Sequence, residues 1–157
     1  MRLGAEILPG QLYQRGLFDK WPIEKKIAMI IQGRIGAVVC LVNRRDIEMI
    51  QLLGRNYIFY PVSDGKTVNR GLEFIASDLA QVILGGKAVI VHCRAGRNRS
   101  GLLSALVVRE VLGCSGSQAL AHVQRTRPNA LANGHFCAYL RSLPEKGSDE
   151  ASVLSDR

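Results

Sequence analysis

Two stretches of this chain, residues 37–42 and 88–91, are apolar without interruption. Runs of that kind suit strands buried on both faces of a helix-covered sheet, which predicts that both are central. Ahead of the first, Ile23, Ile27, Ile30 and Ile31 recur at helical spacing after Pro22. Ahead of the second, Leu72, Ile75, Leu79, Val82 and Ile83 do the same after Asn69, a candidate cap. Both sets are expected to pack on the sheet. A shorter apolar segment at 57–60 reads as a further strand. Beyond residue 101, Leu102, Leu103, Leu106, Val107, Val108 and Val111 leave Arg109 and Glu110 as the only charges before Gly113, a pattern that predicts a helix running through the core. Residues 117–126 and 133–143 read as two more helices, the second with Phe136, Leu140 and Leu143 on one side.

These elements add up to an α/β fold, with a small, mostly parallel sheet of four to five strands covered by helices. At 157 residues and 47% hydrophobic content, the chain can bury one core, and residues 1–143 are read as a single domain. The polar stretch 144–157, with Glu145, Asp149, Glu150 and Asp156 among small residues, is expected to fray as a tail.

Directly after the second apolar run comes His92-Cys93-Arg94-Ala95-Gly96-Arg97-Asn98-Arg99-Ser100-Gly101, where a buried strand should turn into a helix. Free backbone N–H groups at a helix start form an anion site and favour a thiolate over a thiol, so Cys93 is a candidate nucleophile. Five residues separate it from Arg99, close enough for the loop to fold into a cradle in which a planar guanidinium meets two phosphate oxygens. Gly96 gives a tight concave loop its backbone freedom, and Gly101 allows the next helix to pack closely. Ser100 is placed to hydrogen-bond the sulfur, and His92 to support the loop from behind. A buried structural thiol has no need of three arginines within seven residues.

The signature HC-x-x-G-x-x-R-[ST] is complete at His92, Cys93, Gly96, Arg99 and Ser100, and the chain thereby resembles the Cys-x5-Arg protein tyrosine phosphatase superfamily, its compact dual-specificity branch in particular. The likeness covers about residues 7–143. Residues 7–13 are similar to the family's first strand, and 127–136 to its RP...N-x-x-F segment, with Ala132 where many relatives carry proline. The resemblance implies a phosphate loop between the last central strand and a buried helix. It also implies in-line attack of Cys93 on phosphorus to give a phosphocysteine, with Arg99 and the loop residues Arg94, Ala95, Gly96, Arg97 and Asn98 holding the oxygens. Ser100 would ease departure of the sulfur, and no metal or other cofactor is implied. The family carries its general acid, an aspartate, about thirty residues before the cysteine; Asp64, 29 residues upstream between Pro61 and Gly65, is the candidate, the alternative being a plain Asp-Gly turn.

Charge bears on the substrate. The formal balance is +8, and leaving out residues 145–157, with four acids and two bases, makes it 19 − 9 = +10. Such a field attracts polyanions. The leading expectation is a phosphorylated protein, with phosphoserine, phosphothreonine and phosphotyrosine all admitted, because the short chain has no tyrosine-bearing loop to deepen the pocket. Arg94 and Arg97 keep open a more anionic substrate, a phosphoinositide or an RNA 5′-triphosphate, and Asn98-Arg99 is similar to the ending of the loop in capping-type RNA triphosphatases; Asp64 argues instead for monoesters. A weakly active phospho-binding module is the third reading. A rhodanese-like sulfur carrier leaves His92 and Arg99-Ser100 unexplained. Nucleic acid or acidic lipid as a partner is the less favoured alternative, and a monomer is expected.

Cys40, Cys93, Cys114 and Cys137 form no CxxC pair and no zinc spacing, and reduced thiols fit a cytoplasmic setting. As in some related enzymes, Cys40 is a candidate to trap oxidised Cys93 as a disulfide. The first residues lack the apolar core of a signal peptide, no apolar stretch reaches membrane-spanning length, and Arg2 stands where myristoylation needs glycine.

Overall fold

The structure, a computed structural model, describes residues 1–147. Strands β1 (Ala5–Leu8) and β2 (Leu12–Arg15) form an antiparallel hairpin. Then come α1 (Ile23–Gly33), β3 (Ile35–Cys40), α2 (Ile47–Leu53), β4 (Tyr57–Phe59), α3 (Gly71–Leu84), β5 (Ala88–His92), α4 (Arg99–Leu112), α5 (Gly116–Thr126) and α6 (Gly134–Arg141). The five strands lie in the order β1-β2-β5-β3-β4, and every pairing except β1–β2 is parallel. After β3 the chain steps outward to β4, then returns through α3 to insert β5 between β2 and β3. At such a reversal, beyond the carboxyl ends of the central strands, α/β sheets bind their ligands.

The two apolar runs are the centre of the sheet, with every residue of β5 and all of β3 but Gly36 buried. Helix α4 is buried continuously from Ser100 to Arg109 and packs against β2, β5, α3 and α5, which makes it a rigid base for the loop that precedes it. Its one buried charge, Arg109, donates Nε to Pro144 O at 2.8 Å, and Glu110 pairs with Lys146 at 2.9 Å. The first residues of the stretch expected to be a tail are thus tied to α4; residues 148–157 lie outside the described residues. Ser115 and Gln118 close a reciprocal capping box on α5, and Asn133 caps α6 through the N–H groups of His135 and Phe136.

Three local expectations need correction. The single opening strand is a hairpin, because Pro9-Gly10 makes a tight turn: Gly10 takes φ +69° and Gln11 N–H donates to Leu8 O at 2.9 Å. Helix α2 is absent from the hydrophobic pattern since it is only seven residues long and buries Met49 alone; its start is set by Asp46, whose side chain accepts from Met49 N–H. The face of α1 is also turned. Ile27 and Ile31 are 37% and 70% exposed, while Met29 and the whole of Lys26 are buried. The Lys26 ammonium donates to Asp19 O at 2.8 Å, to Asp46 at 3.0 Å and to Glu48 at 2.8 Å, and these partners rotate the helix toward themselves. A buried cation is tolerated only with such compensation.

Candidate active site

The loop between β5 and α4 is shaped by what its carbonyls do. Arg94 O accepts from Leu17 N–H at 3.2 Å, Ala95 O from Arg127 Nη2 at 3.2 Å, Gly96 O from Gln14 Nε2 at 3.0 Å and Arg97 O from Leu131 N–H at 3.3 Å. Four successive carbonyls are therefore held by donors around the loop. In a trans peptide the N–H points opposite to the C=O, so the N–H groups of Ala95, Gly96, Arg97 and Asn98 turn into the hollow. Asn98 precedes α4 but makes no side-chain cap to it, which leaves the first helical N–H groups for an anion.

Two glycines let the loop sit this close to β2. Gly96 has φ +68°, and a Cβ on it would lie 2.6 Å from Gly16 N and press on the Arg15 carbonyl carbon. On the other side, a Cβ on Gly16 would lie 2.8 Å from Arg94 O. Leu131, buried and itself at φ +60°, packs where a Cβ on Gly101 would be, fixing α4 against the segment 127–133.

Cys93 is at the floor of this hollow, 2% exposed, with Sγ 3.2 Å from Ser100 Oγ. Burial raises its pKa, but the Ser100 hydroxyl and the N–H groups of Ser100, Arg97 and Gly96 outweigh that, and the thiol is held below its ordinary value. Arg99 is half-buried; Nη1 reaches Val62 O at 3.4 Å, and Nε is buried with no protein partner. The guanidinium thus keeps donors for an oxyanion.

Asp64 lies on the segment after β4. Its Oδ2 accepts from Asn98 Nδ2 at 3.0 Å and its Oδ1 from Asn133 Nδ2 at 2.8 Å. The candidate carboxylate is therefore in contact with the loop that carries Cys93 and Arg99. Arg94 and Arg97 are exposed on the same loop. His92 is behind the loop, its ring edge-on to Phe18 at 5.1 Å and its carbonyl accepting from Leu41 N–H. Burial lowers its pKa to about 4 against the opposing pull of the Cys93 backbone, so the imidazole is neutral.

Residues not singled out for the site by sequence also take part. Gln14, fully buried on β2, reaches the loop across 82 positions, and its signal is a polar side chain that faces the core in a short strand. Arg127 and Asn133, which the sequence marks only as part of the segment 127–136, touch Ala95 and Asp64. Cys40 and Cys93 are free thiols. Cys40 Sγ points to the carbonyls of Val42 and Arg44 at 3.3 and 3.4 Å, and burial pushes its pKa up, which makes it a poor attacking thiolate.

The model of the dual specificity phosphatase catalytic domain matches residues 23–146. A protein bearing a tyrosine phosphatase name in Invertebrate iridescent virus 3 is 32% identical over 93 residues, 54% of this chain and 39% of its own length. Another from Invertebrate iridescent virus 6 is 23% identical over 90% of this chain and 56% of its own length. The chain thus spans well under two thirds of both viral relatives. The crystal structure of the Cydia pomonella PTP-2 phosphatase superposes with a TM-score of 0.72 over 90% of this chain and 89% of that one, at 20% identity. With its family model spanning most of the sequence and its fold shared with a phosphatase, the chain belongs to the dual specificity phosphatase catalytic-domain family.

Proposed function

We propose that this protein hydrolyses phosphate monoesters on proteins, at phosphotyrosine and at phosphoserine or phosphothreonine, through a phosphocysteine intermediate. The Cys93 thiolate attacks phosphorus in line, forming the S–P bond as the ester P–O bond breaks. Asp64 delivers its proton to the departing oxygen. Arg99 and the inward N–H groups of residues 95–98 stabilise the equatorial oxygens. Water then attacks phosphorus, Asp64 takes a proton from it, and the S–P bond breaks with Ser100 hydrogen-bonding the leaving sulfur. His92, neutral and buried, supports the loop. The observation that carries this reading is the ring of outward-bonded carbonyls, which aims peptide N–H groups at a thiol held below its ordinary pKa.

The exposed Arg94 and Arg97 support substrates with further negative charge beside the scissile phosphate. No helix among the described residues is long and apolar enough to cross a membrane. Together with a nucleophile that must stay reduced, this supports a cytoplasmic setting. The test compares phosphotyrosine and phosphoserine peptides with phosphoinositides and triphosphorylated RNA, on the wild type, Cys93→Ser and Arg99→Lys. Turnover of both peptide classes, abolished by Cys93→Ser and strongly impaired by Arg99→Lys, is the expected result. Turnover confined to lipid or RNA, or persisting in Cys93→Ser, would overturn it.

A further inference from the structure

We infer that Asn98 and Asn133 form an amide clamp that positions the Asp64 carboxyl for proton transfer, an inference that rests on Asp64 being the general acid. Both carboxyl oxygens are engaged, each by a different amide: Asn98 Nδ2 to Oδ2 at 3.0 Å and Asn133 Nδ2 to Oδ1 at 2.8 Å. The two amides are also joined to each other, since Asn133 N–H donates to Asn98 Oδ1 at 3.0 Å. The result is a closed triangle between the phosphate loop, the segment after β4 and the start of α6.

Backbone groups fix which way each amide faces. Asn133 Oδ1 accepts from the N–H groups of His135 and Phe136, at 2.9 and 3.2 Å, and Asn98 Oδ1 accepts from a backbone N–H. Those ends must be oxygen, so the NH₂ ends must face Asp64. Asn133 Nδ2 uses its second proton on Gly65 O at 3.0 Å, and Arg99 Nη1 reaches Val62 O at 3.4 Å, so the segment is held on either side of Asp64 as well. Asn98 stands at a helix start, where its side chain would ordinarily cap; it spends both of its polar atoms on the triangle instead. A carboxyl group has about four lone-pair sites. The clamp occupies one on each oxygen, orienting the group while leaving a site for the proton that moves. Asn98 and Asn133 act through Asp64 and are positioning residues.

A rigid role in the loop alone would slow every substrate alike, whereas a clamp on the acid matters most when the leaving group needs a proton. The readout is therefore the ratio of kcat/KM for p-nitrophenyl phosphate to that for phenyl phosphate, measured on the wild type, Asn98→Ala, Asn133→Asp, Asp64→Asn and the Asp64→Asn/Asn98→Ala double variant. Asn133→Asp keeps the oxygen that caps α6, which guards against a variant that fails to fold, and replaces the donor with a carboxylate that repels Asp64; Asn98→Ala loosens the clamp without adding charge. The clamp predicts that Asn98→Ala and Asn133→Asp each raise the ratio by about tenfold, part of the range a general acid contributes. It also predicts that Asn98→Ala raises it no further once Asp64 is Asn. An unchanged ratio in both asparagine variants, with a raised ratio in Asp64→Asn, would overturn the clamp and leave the general acid standing. A ratio unmoved by Asp64→Asn would overturn both.

Discussion

Gly96→Ala tests the closeness of the loop to β2 more sharply than any change to the reacting groups. At φ +68°, the left-handed region, an alanine costs about 1–2 kcal/mol for its conformation alone. Its Cβ would also stand 2.6 Å from Gly16 N and closer still to the Arg15 carbonyl carbon, whereas ordinary contact begins at 3.4 Å, so the loop must retreat by at least 3.4 − 2.6 = 0.8 Å or push β2 away. Both sides of that contact are backbone, and neither can rotate out of the way. A misplacement of about 1 Å at a catalytic centre costs on the order of 100-fold in rate. The predicted outcome is a loss of about 100-fold in kcat/KM toward p-nitrophenyl phosphate. In urea unfolding it is a stability loss exceeding that of Gly10→Ala, which has φ +69° but nothing within 4 Å of the added Cβ. Gly10→Ala should pay only the conformational cost, about 1–2 kcal/mol, and keep wild-type kinetics. If Gly96→Ala matched Gly10→Ala in both measurements, the argument from close approach would be wrong.

Three other outcomes follow from the environment of the loop. Alkylation of Cys93 by iodoacetamide should titrate with a midpoint below that of a free thiol, and Ser100→Ala should move the midpoint up; an ordinary midpoint in the wild type would mean the N–H groups do not hold the thiolate. Because folding depresses His92 from 6.5 to about 4, its contribution to stability is complete above pH 6.5 and is lost as pH falls through about 4, on the order of 3 kcal/mol in all. Unfolding free energies of His92→Asn should accordingly fall less steeply with acid than those of the wild type, and parallel slopes would refute the assignment. Gln14→Leu leaves Gly96 O without its buried donor and should cost about 1–3 kcal/mol by urea denaturation, with a larger loss of kcat than rise in KM for p-nitrophenyl phosphate; an undiminished kcat would show that the loop holds its shape without β2.

Much of this architecture is legible from local pattern. β3 and β5 are unbroken apolar runs, α4 is apolar nearly throughout, and the loop between them has a spacing that few other chemistries require. What local pattern cannot carry is the identity of distant partners. The isoleucines of α1 mark a periodic face, yet Lys26, bonded to Asp46 and Glu48, 20 and 22 positions away in sequence, decides which side turns inward. β1 and β2 look like one strand until the Pro9-Gly10 turn is weighed above the apolar residues that flank it. Asp64 can be picked by counting back from Cys93, but its contacts with Asn98 and Asn133 span 34 and 69 positions and arise only when three segments meet. Gln14 shows only as a polar residue on the core face of a short strand, and neither it nor Arg127 can be matched to the loop carbonyl it holds without the fold.

A sulfur that bonds to phosphorus during turnover can be trapped with the phosphoryl group still on Cys93. A ³²P-labelled phosphotyrosine peptide, mixed with the enzyme and quenched within milliseconds in denaturant, should leave label on the single peptide containing Cys93, and Cys93→Ser should carry none. Label on another residue, or rapid turnover with no labelled protein at any quench time, would contradict the account.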